Sequence, residues 1–431
     1  MIFVYNFLQI LLLVITLPLL ALVILGTKKY RGTIRQRLGF SLPAALGNIS
    51  PAGRKVIWMH ALSVGEVTSA LPLVRGLRQE TDDVIIIFSA TTVTGRSTAA
   101  KLIAPYVDCI ISGPLDLLFS INRFIHHIRP DLFILIETDF WPNWLYLLQR
   151  KKIPMMLVNG RVSEKSFTTY RKFQFFFLPM FRSFSLLSMQ TGHDAAQMAQ
   201  LGIPEKKITT LGNLKYDTAL MVDEGRATLG KADLLLPAGC IIWLCGSTHR
   251  GEEEILLAAF DRLRKKFENL ALIIAPRDPG RSSEINDLAD AMKLPANRRT
   301  IRDNPEADVL ILDTIGELTQ CYKLAKIAFI GGSLVPSGGH NPLEASVFGV
   351  PVLFGPHMDD FREIAAECLQ YNAGIEVRSV DEITAVVNNI LLDAVRYSAM
   401  SQAAKQLVRD KSGVVSRHLV EIRKLIGETS T

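Results

Sequence analysis

"IGGSLVPSGGHNPLEASVFGVPVLFGP", residues 330–356, reads as the end of a buried strand, a glycine-rich loop, a helix start and a second strand. Asn341 suits a helix N-cap, Pro342 the first helical position and Glu344 the third. Gly331–Gly332 and Gly338–Gly339 let a backbone pass close to a phosphate, and the N–H groups that open a helix favour an anion there. Glu344, in the first turn, can accept hydrogen bonds from ribose hydroxyls. The competing reading is a tightly turned loop before a well-capped helix, although two glycine pairs exceed what capping requires. A strand–loop–helix–strand unit of this kind belongs to an α/β fold.

The same alternation extends outward in both directions. Near-continuous Val/Ile/Leu runs mark strands at 55–60, 83–90, 131–137, 153–159 and 184–190, then at 240–246, 270–276, 308–313, 327–333 and 351–356. Runs of this kind suit parallel strands buried on both faces. Ten of them, separated by helical patterns, predict two doubly wound α/β domains. A polar stretch with Gly225, Gly230 and Gly239, roughly 213–239, separates the two sets. The expected organisation is a membrane anchor at 1–26, a first domain at 27–222 and a second at 223–431. Ligands in open parallel sheets sit at the carboxyl ends of the strands, so a cleft between the domains is the natural site.

The anchor expectation rests on residues 2–25, which carry no charge. That length suffices to cross a hydrocarbon core of about 30 Å. No basic stretch precedes the run, and Lys28, Lys29, Arg31, Arg35 and Arg37 follow it. A secretory signal peptide has the opposite arrangement, and the basic flank places the remainder on the cytoplasmic side. The alternative is an interfacial helix or hairpin bent at Pro18. The net charge is +6 over 431 residues, and the basic excess lies early, because no Asp or Glu precedes Glu66. The five cysteines have neither C-x-x-C pairing nor His at metal spacing, which reads as reduced cytosolic thiols.

Other motifs fall after strands. In "HALSVGE" (60–66), Ser63 and Glu66 have the spacing of a capping box; Pro72 should kink the helix behind them or delay its start. Glu66 is then either a cap or a base, and it needs partial burial to become a good base. In "IETDFWPN" (136–143), Glu137 ends a strand, where a sheet offers side chains to its crevice. In "LCGSTHRGEEE" (244–254), a strand ends at Cys245, and Ser247 and Thr248 lie in a small polar loop before a helix. That loop is an anion site by its bare N–H groups, with Thr248 as N-cap the plain alternative; it is neither a Walker P-loop nor a dinucleotide fingerprint. "TTYRKFQFFFLPMFRSF" (168–184) mixes Arg171, Lys172 and Arg182 with phenylalanines, and reads either as core with a basic edge or as a surface for acyl chains and phosphates. No D-x-D motif or His/Cys cluster is present, so no catalytic metal is implied.

At these motifs the chain resembles the 3-deoxy-D-manno-octulosonic acid (Kdo) transferases of lipopolysaccharide assembly, a lipid A-specific branch of the GT-B glycosyltransferases. The matching pieces are "HALSVGE", "ETDFWPN", "GNLKYD", "GSTHRGEE", "APRDPGR", "DTIGEL" and the opening stretch through Pro356, spread over residues 30–360 behind a similar anchor. Asp278 stands where the family pattern usually has His. The resemblance implies a GT-B fold of two Rossmann-like domains facing a central cleft. It implies transfer of Kdo from CMP-Kdo to the lipid A precursor lipid IVA, with release of CMP, inversion and no metal or other cofactor. Glu66 matches the family's proton acceptor; Glu137 and Lys215 match its transition-state stabilisers. Pro276, Arg277, Ile315, Gly316, Glu317, Asn341, Pro342, Leu343 and Glu344 match its CMP contacts. Ser247, Thr248, Gly332 and Ser333 join that site by position. The partners expected are CMP-Kdo, the lipid A precursor and inner-membrane phospholipid at the cytoplasmic face, with no nucleic acid. The rival readings are a GT-B enzyme using a UDP-sugar on another lipid, and a non-catalytic tethered protein that binds a nucleotide-sugar or lipid.

Overall fold

The computed structural model describes residues 2–26, 28–47, 49, 53–81, 83–221, 229–234, 236–237, 239–301, 304 and 307–427, with backbone alone at 18–25 and 28–32. The chain forms two compact units, Met1–Thr218 with Ser412–Thr431, and Ala219–Lys411. The expected boundary at 222–223 lies outside the described residues.

The first unit holds a seven-stranded sheet: β1 (Lys55–Ala61), β2 (Val84–Ala90), β3 (Cys109–Ser112), β4 (Leu132–Ile136), β5 (Met155–Gly160), β6 (Leu186–Met189) and β7 (Ile208–Thr210). Their order is β3-β2-β1-β4-β5-β6-β7, and the pairings are parallel. Sequence order reverses between β1 and β4, the topological switch point where doubly wound sheets bind ligands. Strands β2, β4 and β5 are buried at every residue, as covering both faces of a parallel sheet requires. On one face Trp58 packs against Phe133, Phe124 and Trp144 with ring centroids 4.9–6.0 Å apart. Burying a side chain of that size contributes about 2–3 kcal/mol.

The helix Val64–Glu80 on the other face runs unbroken through Pro72. Pro72 denies it one backbone hydrogen bond, and the burial of Val67, Ala70, Leu73, Val74 and Leu77 outweighs that loss. The C-terminal helix Val414–Ile426 packs in the same core, through Val414, Leu419, Ile422 and Ile426. Asp217 accepts the N–H groups of Gly413 (2.7 Å) and Val415 (2.6 Å), and His418 pairs with Ser188 at 2.8 Å. The end of the chain therefore completes the first unit, a correction to the expected second domain of 223–431.

The second unit holds β8 (Ile241–Thr248), β9 (Leu270–Pro276), β10 (Ala296–Arg298), β11 (Val309–Ile311), β12 (Ile327–Ile330), β13 (Val352–Phe354) and β14 (Gly374–Glu376). The order is β10-β11-β9-β8-β12-β13-β14, again with parallel pairings. Its switch point lies between β8 and β12. Strand β8 runs three residues past the expected end at Cys245.

Ile2–Gly26 forms one helix, α1, and Lys28–Arg37 a second, α2. Among the described residues, no helix is long and apolar enough to cross a membrane. The expected single-pass anchor is therefore not carried by the structure. The aromatic-basic stretch divides into two roles. Phe181 and Phe184 are core, Phe176 and Phe177 pack against it, and Phe175 stands 74% exposed.

Candidate active site

The first unit gathers acidic side chains at its switch point. Ser63 caps the helix that follows β1, and its hydroxyl accepts the N–H of Glu66 at 3.4 Å. Glu66 reaches back one residue further than a capping box does: its Oε2 accepts the N–H of Leu62. Cap and base therefore coexist, because the cap holds the carboxyl in one position. Glu66 is only 6% exposed. Burial, then the negative charges of Glu137 and Asp139, push its pKa up to about 8 against the opposing Leu62 hydrogen bond. The helix N-terminus alone would favour the ionised form; desolvation outweighs it here.

Beside Glu66, His60 is fully buried at the end of β1. Its Nδ1 lies 2.7 Å from Ser89 Oγ and its Nε2 3.0 Å from Asp139 Oδ2. Thr91 Oγ1 approaches Nε2 at 3.1 Å. Asp139 belongs to the same loop as Glu137, so this buried pair fastens the β4 loop to β1.

Glu137 itself has φ +63, the left-handed region that a residue with a Cβ adopts at a cost of about 1–2 kcal/mol. Its N–H donates to Val158 O at 2.8 Å, and its Oε1 accepts Asn159 Nδ2 at 3.1 Å. Asn159 is buried at the end of β5, and its Oδ1 takes the N–H of Leu214 at 3.0 Å. A second path leaves its carbonyl: Gln190 Nε2 donates to Asn159 O at 2.9 Å, and Asn213 Nδ2 to Gln190 Oε1 at 2.9 Å. Asn213 Oδ1 then accepts the N–H of Lys215 at 3.0 Å. Glu137 and Lys215, far apart in sequence, thus share one buried amide network. Asn159 and Gln190 were missed in the motifs; the signal available was an amide closing an apolar strand run, at the position Glu137 occupies after β4.

In the second unit, Glu252 organises the switch point. Its buried carboxylate accepts N–H groups from His249 (2.8 Å), Gly332 (2.7 Å), Ser333 (2.9 Å) and Leu334 (2.9 Å). The Gly332 and Ser333 donors that the sequence assigns to a phosphate are therefore already engaged, which corrects that expectation for the two N–H groups. Close packing within the chain also explains the glycines. A Cβ on Gly331 would lie 2.3 Å from Ser247 O, and one on Gly339 2.4 Å from Met358 Sδ. Thr248 is no N-cap but the last residue of β8, and Arg277 N donates to its carbonyl at 3.0 Å. The Thr248 hydroxyl is buried with no hydrogen-bond partner among the described residues, and Ser247 has φ +57.

Around this loop, His249 and His340 meet Nε2 to Nε2 at 3.0 Å. Burial, Arg277 and His249 press the His340 pKa down to about 4, so the His340 ring is neutral at cellular pH. Asn341 Oδ1 accepts the N–H of Leu343 at 3.2 Å, and the helix after Pro342 is only Leu343–Ser346. Glu344 is half-buried in its first turn. Pro276 closes β9. Asp278, the departure from the family pattern, caps the next turn by accepting Gly280 N at 3.0 Å. Ile315 is 90% exposed, and among the described residues a Cβ on Gly316 would meet nothing within 4 Å. Glu317 is held by Arg299 at 2.8 Å, so the open part of that turn is Ile315–Gly316.

Residues 32–218 match the family model described as 3-Deoxy-D-manno-octulosonic-acid transferase (kdotransferase). The chain is 35% identical over 396 residues to the 3-deoxy-D-manno-octulosonic acid transferase of Haemophilus influenzae, covering 91% of each chain. Identity to the transferase of that name from Aquifex aeolicus is 29%, over 78% of this chain and 86% of the other. Among solved structures, UDP-GlcNAc 2-epimerase from Neisseria meningitidis shares the fold, with TM-score 0.62 and 16% identity over 85% of this chain and 99% of that one.

Proposed function

Because the chain belongs to the 3-deoxy-D-manno-octulosonic acid (Kdo) transferase family and is therefore a glycosyltransferase, we propose that it moves Kdo from CMP-Kdo to a sugar hydroxyl of a lipid A precursor, lipid IVA, by one inverting displacement without a metal. Glu66 takes the hydroxyl proton. The oxygen bonds to the anomeric carbon of Kdo as that carbon's bond to the CMP phosphate oxygen breaks, and CMP leaves with the bonding pair. The charge of Glu137 favours positive character at the anomeric carbon, while Lys215 and Arg277 stabilise the growing charge on phosphate. Ile315–Gly316 and Asn341–Glu344 hold the nucleoside, and the Thr248 hydroxyl is a donor in reserve. The apolar α1 and the basic residues after it keep the chain at the cytoplasmic face of the inner membrane, which raises the effective concentration of a lipid acceptor.

The observation that carries this reading is the Glu66 carboxyl: buried, fixed by its own helix cap, and raised to about 8, near the value a general base needs at cellular pH. Mass spectrometry of a lipid A precursor incubated with CMP-Kdo and the protein tests it. The expected product gains Kdo while CMP is released. A product formed from a UDP-sugar instead, or no CMP release with both substrates present, would overturn it.

A further inference from the structure

The N-terminal segment made of the apolar α1 and the basic α2 is tied to the first unit near the start of α1 and again at the end of α2, and by the same loop. Near its start, Tyr5 donates its hydroxyl to Asp116 Oδ2 at 2.8 Å, and Gln9 Nε2 donates to Asp116 O at 2.8 Å. Asn6 and Asn143 exchange amide hydrogen bonds at 2.7 and 3.0 Å. After α2, Arg37 Nε donates to Gly113 O at 3.2 Å, and Arg37 O accepts Leu115 N at 3.0 Å and Ser120 Oγ at 2.6 Å. Residues 10–36 therefore leave and return at the loop Gly113–Asp116.

A single crossing puts the two ends of a segment on opposite sides of a hydrocarbon core about 30 Å thick. Four residues of loop span at most about 14 Å, so they cannot hold both ends of such a segment. From Gln9 to Gly26 the helix rises only about 25 Å. The outward side of α1 is nevertheless strongly apolar. Phe3 is 84% exposed, and Phe7, Ile10, Val14 and Ile15 are exposed with it. Phe119 and Trp141, exposed on the first unit, stand next to the tethered loops. The charge-free run is followed by basic residues with no acidic residue before Glu66, which suits anionic head groups.

We infer that α1 and α2 together form a monotopic anchor: the segment enters and leaves one leaflet from the cytoplasmic side, and the Asp116/Asn143 seam holds that leaflet at the carboxyl end of the first sheet. This rests on the membrane attachment proposed above. Asp116 also accepts the N–H groups of Asn143 and Trp144, at 3.3 and 3.1 Å. They open the helix directly after the Glu137–Trp141 loop, so the seam joins the anchor to the loop that carries Glu137. The lipid surface is then fixed relative to the acidic site rather than tethered by a free linker.

The test uses the full chain in bacterial inner membranes, with one epitope tag before Met1 and another after Thr431. Flotation of those membranes first checks attachment; protein left at the bottom of the gradient at low salt overturns the attachment reading and the anchor with it. For membrane-bound protein, protease is added to spheroplasts and to inverted vesicles. The expected result is loss of both tags in inverted vesicles and protection of both in spheroplasts. Loss of the N-terminal tag in spheroplasts, with the C-terminal tag protected, means a single crossing and overturns the monotopic anchor while leaving attachment intact.

Discussion

Asn159 Nδ2 donates to Glu137 Oε1 at 3.1 Å while Asn159 Oδ1 receives the N–H of Leu214 one residue before Lys215. One buried amide thus sets the position of two groups assigned to the transition state. Its backbone is left-handed, φ +60, a conformation that Asn tolerates better than most residues. In Asn159→Ala the Leu214 N–H stays buried without a partner, at a cost of about 1–3 kcal/mol, with about 1 kcal/mol more from the left-handed backbone. Turnover should fall roughly 10- to 100-fold, as expected when catalytic groups shift by about an ångström, and KM for CMP-Kdo should change little. Thermal denaturation and steady-state kinetics check both parts. Wild-type turnover in a destabilised variant would reduce Asn159 to a structural role.

Glu66 links activity and stability to pH with opposite signs. Its folded pKa, about 8, lies above the ordinary carboxylate value. The reaction uses the ionised form, so turnover should rise with pH through about 8. The stability contributed by this carboxyl is present in full below its unfolded pKa and is lost as pH rises through about 8. Glu66→Gln keeps an acceptor for Leu62 N–H but takes no proton. It should lower turnover by about two to four orders of magnitude, yet melt no lower than wild type at pH 9. Glu137→Gln removes one of the charges that raise Glu66 and should move the activity limb to lower pH. A limb that stays in place shows that the Glu137 charge does not set the Glu66 pKa, leaving burial and Asp139 as its causes.

The central strands were readable because burial on both faces demands long apolar runs: all ten expected strands are present. The four that were not read, β3, β7, β10 and β14, are the outer strands of the two sheets. Each is three or four residues long and partly exposed, so none forms a run that composition can reveal. Local capping was legible at Ser63–Glu66 for the same kind of reason, since its partners are three residues apart. Glu252 was not, because its partners Gly332 to Leu334 are about eighty residues away in sequence. In "RGEEE" three adjacent glutamates look alike, and tertiary packing alone separates them. Glu252 closes the loop, while Glu253 binds Arg281 through a two-pronged pair at 2.9 and 3.2 Å. The N-terminal segment shows the same limit: the apolar run is plain in the sequence, but the return of the chain at Arg37 to Gly113–Asp116 depends on contacts more than seventy residues apart.

Glu252→Gln tests whether the glycine loop is built around that carboxylate. The amide keeps one acceptor oxygen and turns an NH2 group toward backbone N–H donors. Stability should fall by about 3 kcal/mol, the scale of losing buried hydrogen bonds to a charged group. CMP affinity should weaken with it, because His249 and Gly332 lose their common support. Denaturant titration and calorimetry with CMP provide the measurements. A stable variant with normal CMP affinity would mean that the loop holds its shape without Glu252.

Ile315 and Glu344 separate nucleotide contact from folding. Ile315 is 90% exposed, so Ile315→Ser should leave thermal stability within about 0.5 kcal/mol of wild type. If CMP covers the Ile315–Gly316 turn, the same change removes apolar burial and should weaken CMP binding by about 1 kcal/mol. Glu344→Ala should weaken it by about 1.5–3 kcal/mol, as for a lost hydrogen bond to a charged group. Glu344 is half-buried and lies near Tyr322, whose hydroxyl burial holds un-ionised, so this variant also changes packing and its melting temperature must be followed alongside. Calorimetry with CMP decides between the two parts of the site. Unchanged affinity in Ile315→Ser, with weakened affinity in a folded Glu344→Ala, puts the nucleotide on the Asn341–Glu344 turn and off the exposed Ile315–Gly316 turn; the reverse pattern moves the ribose contact away from Glu344.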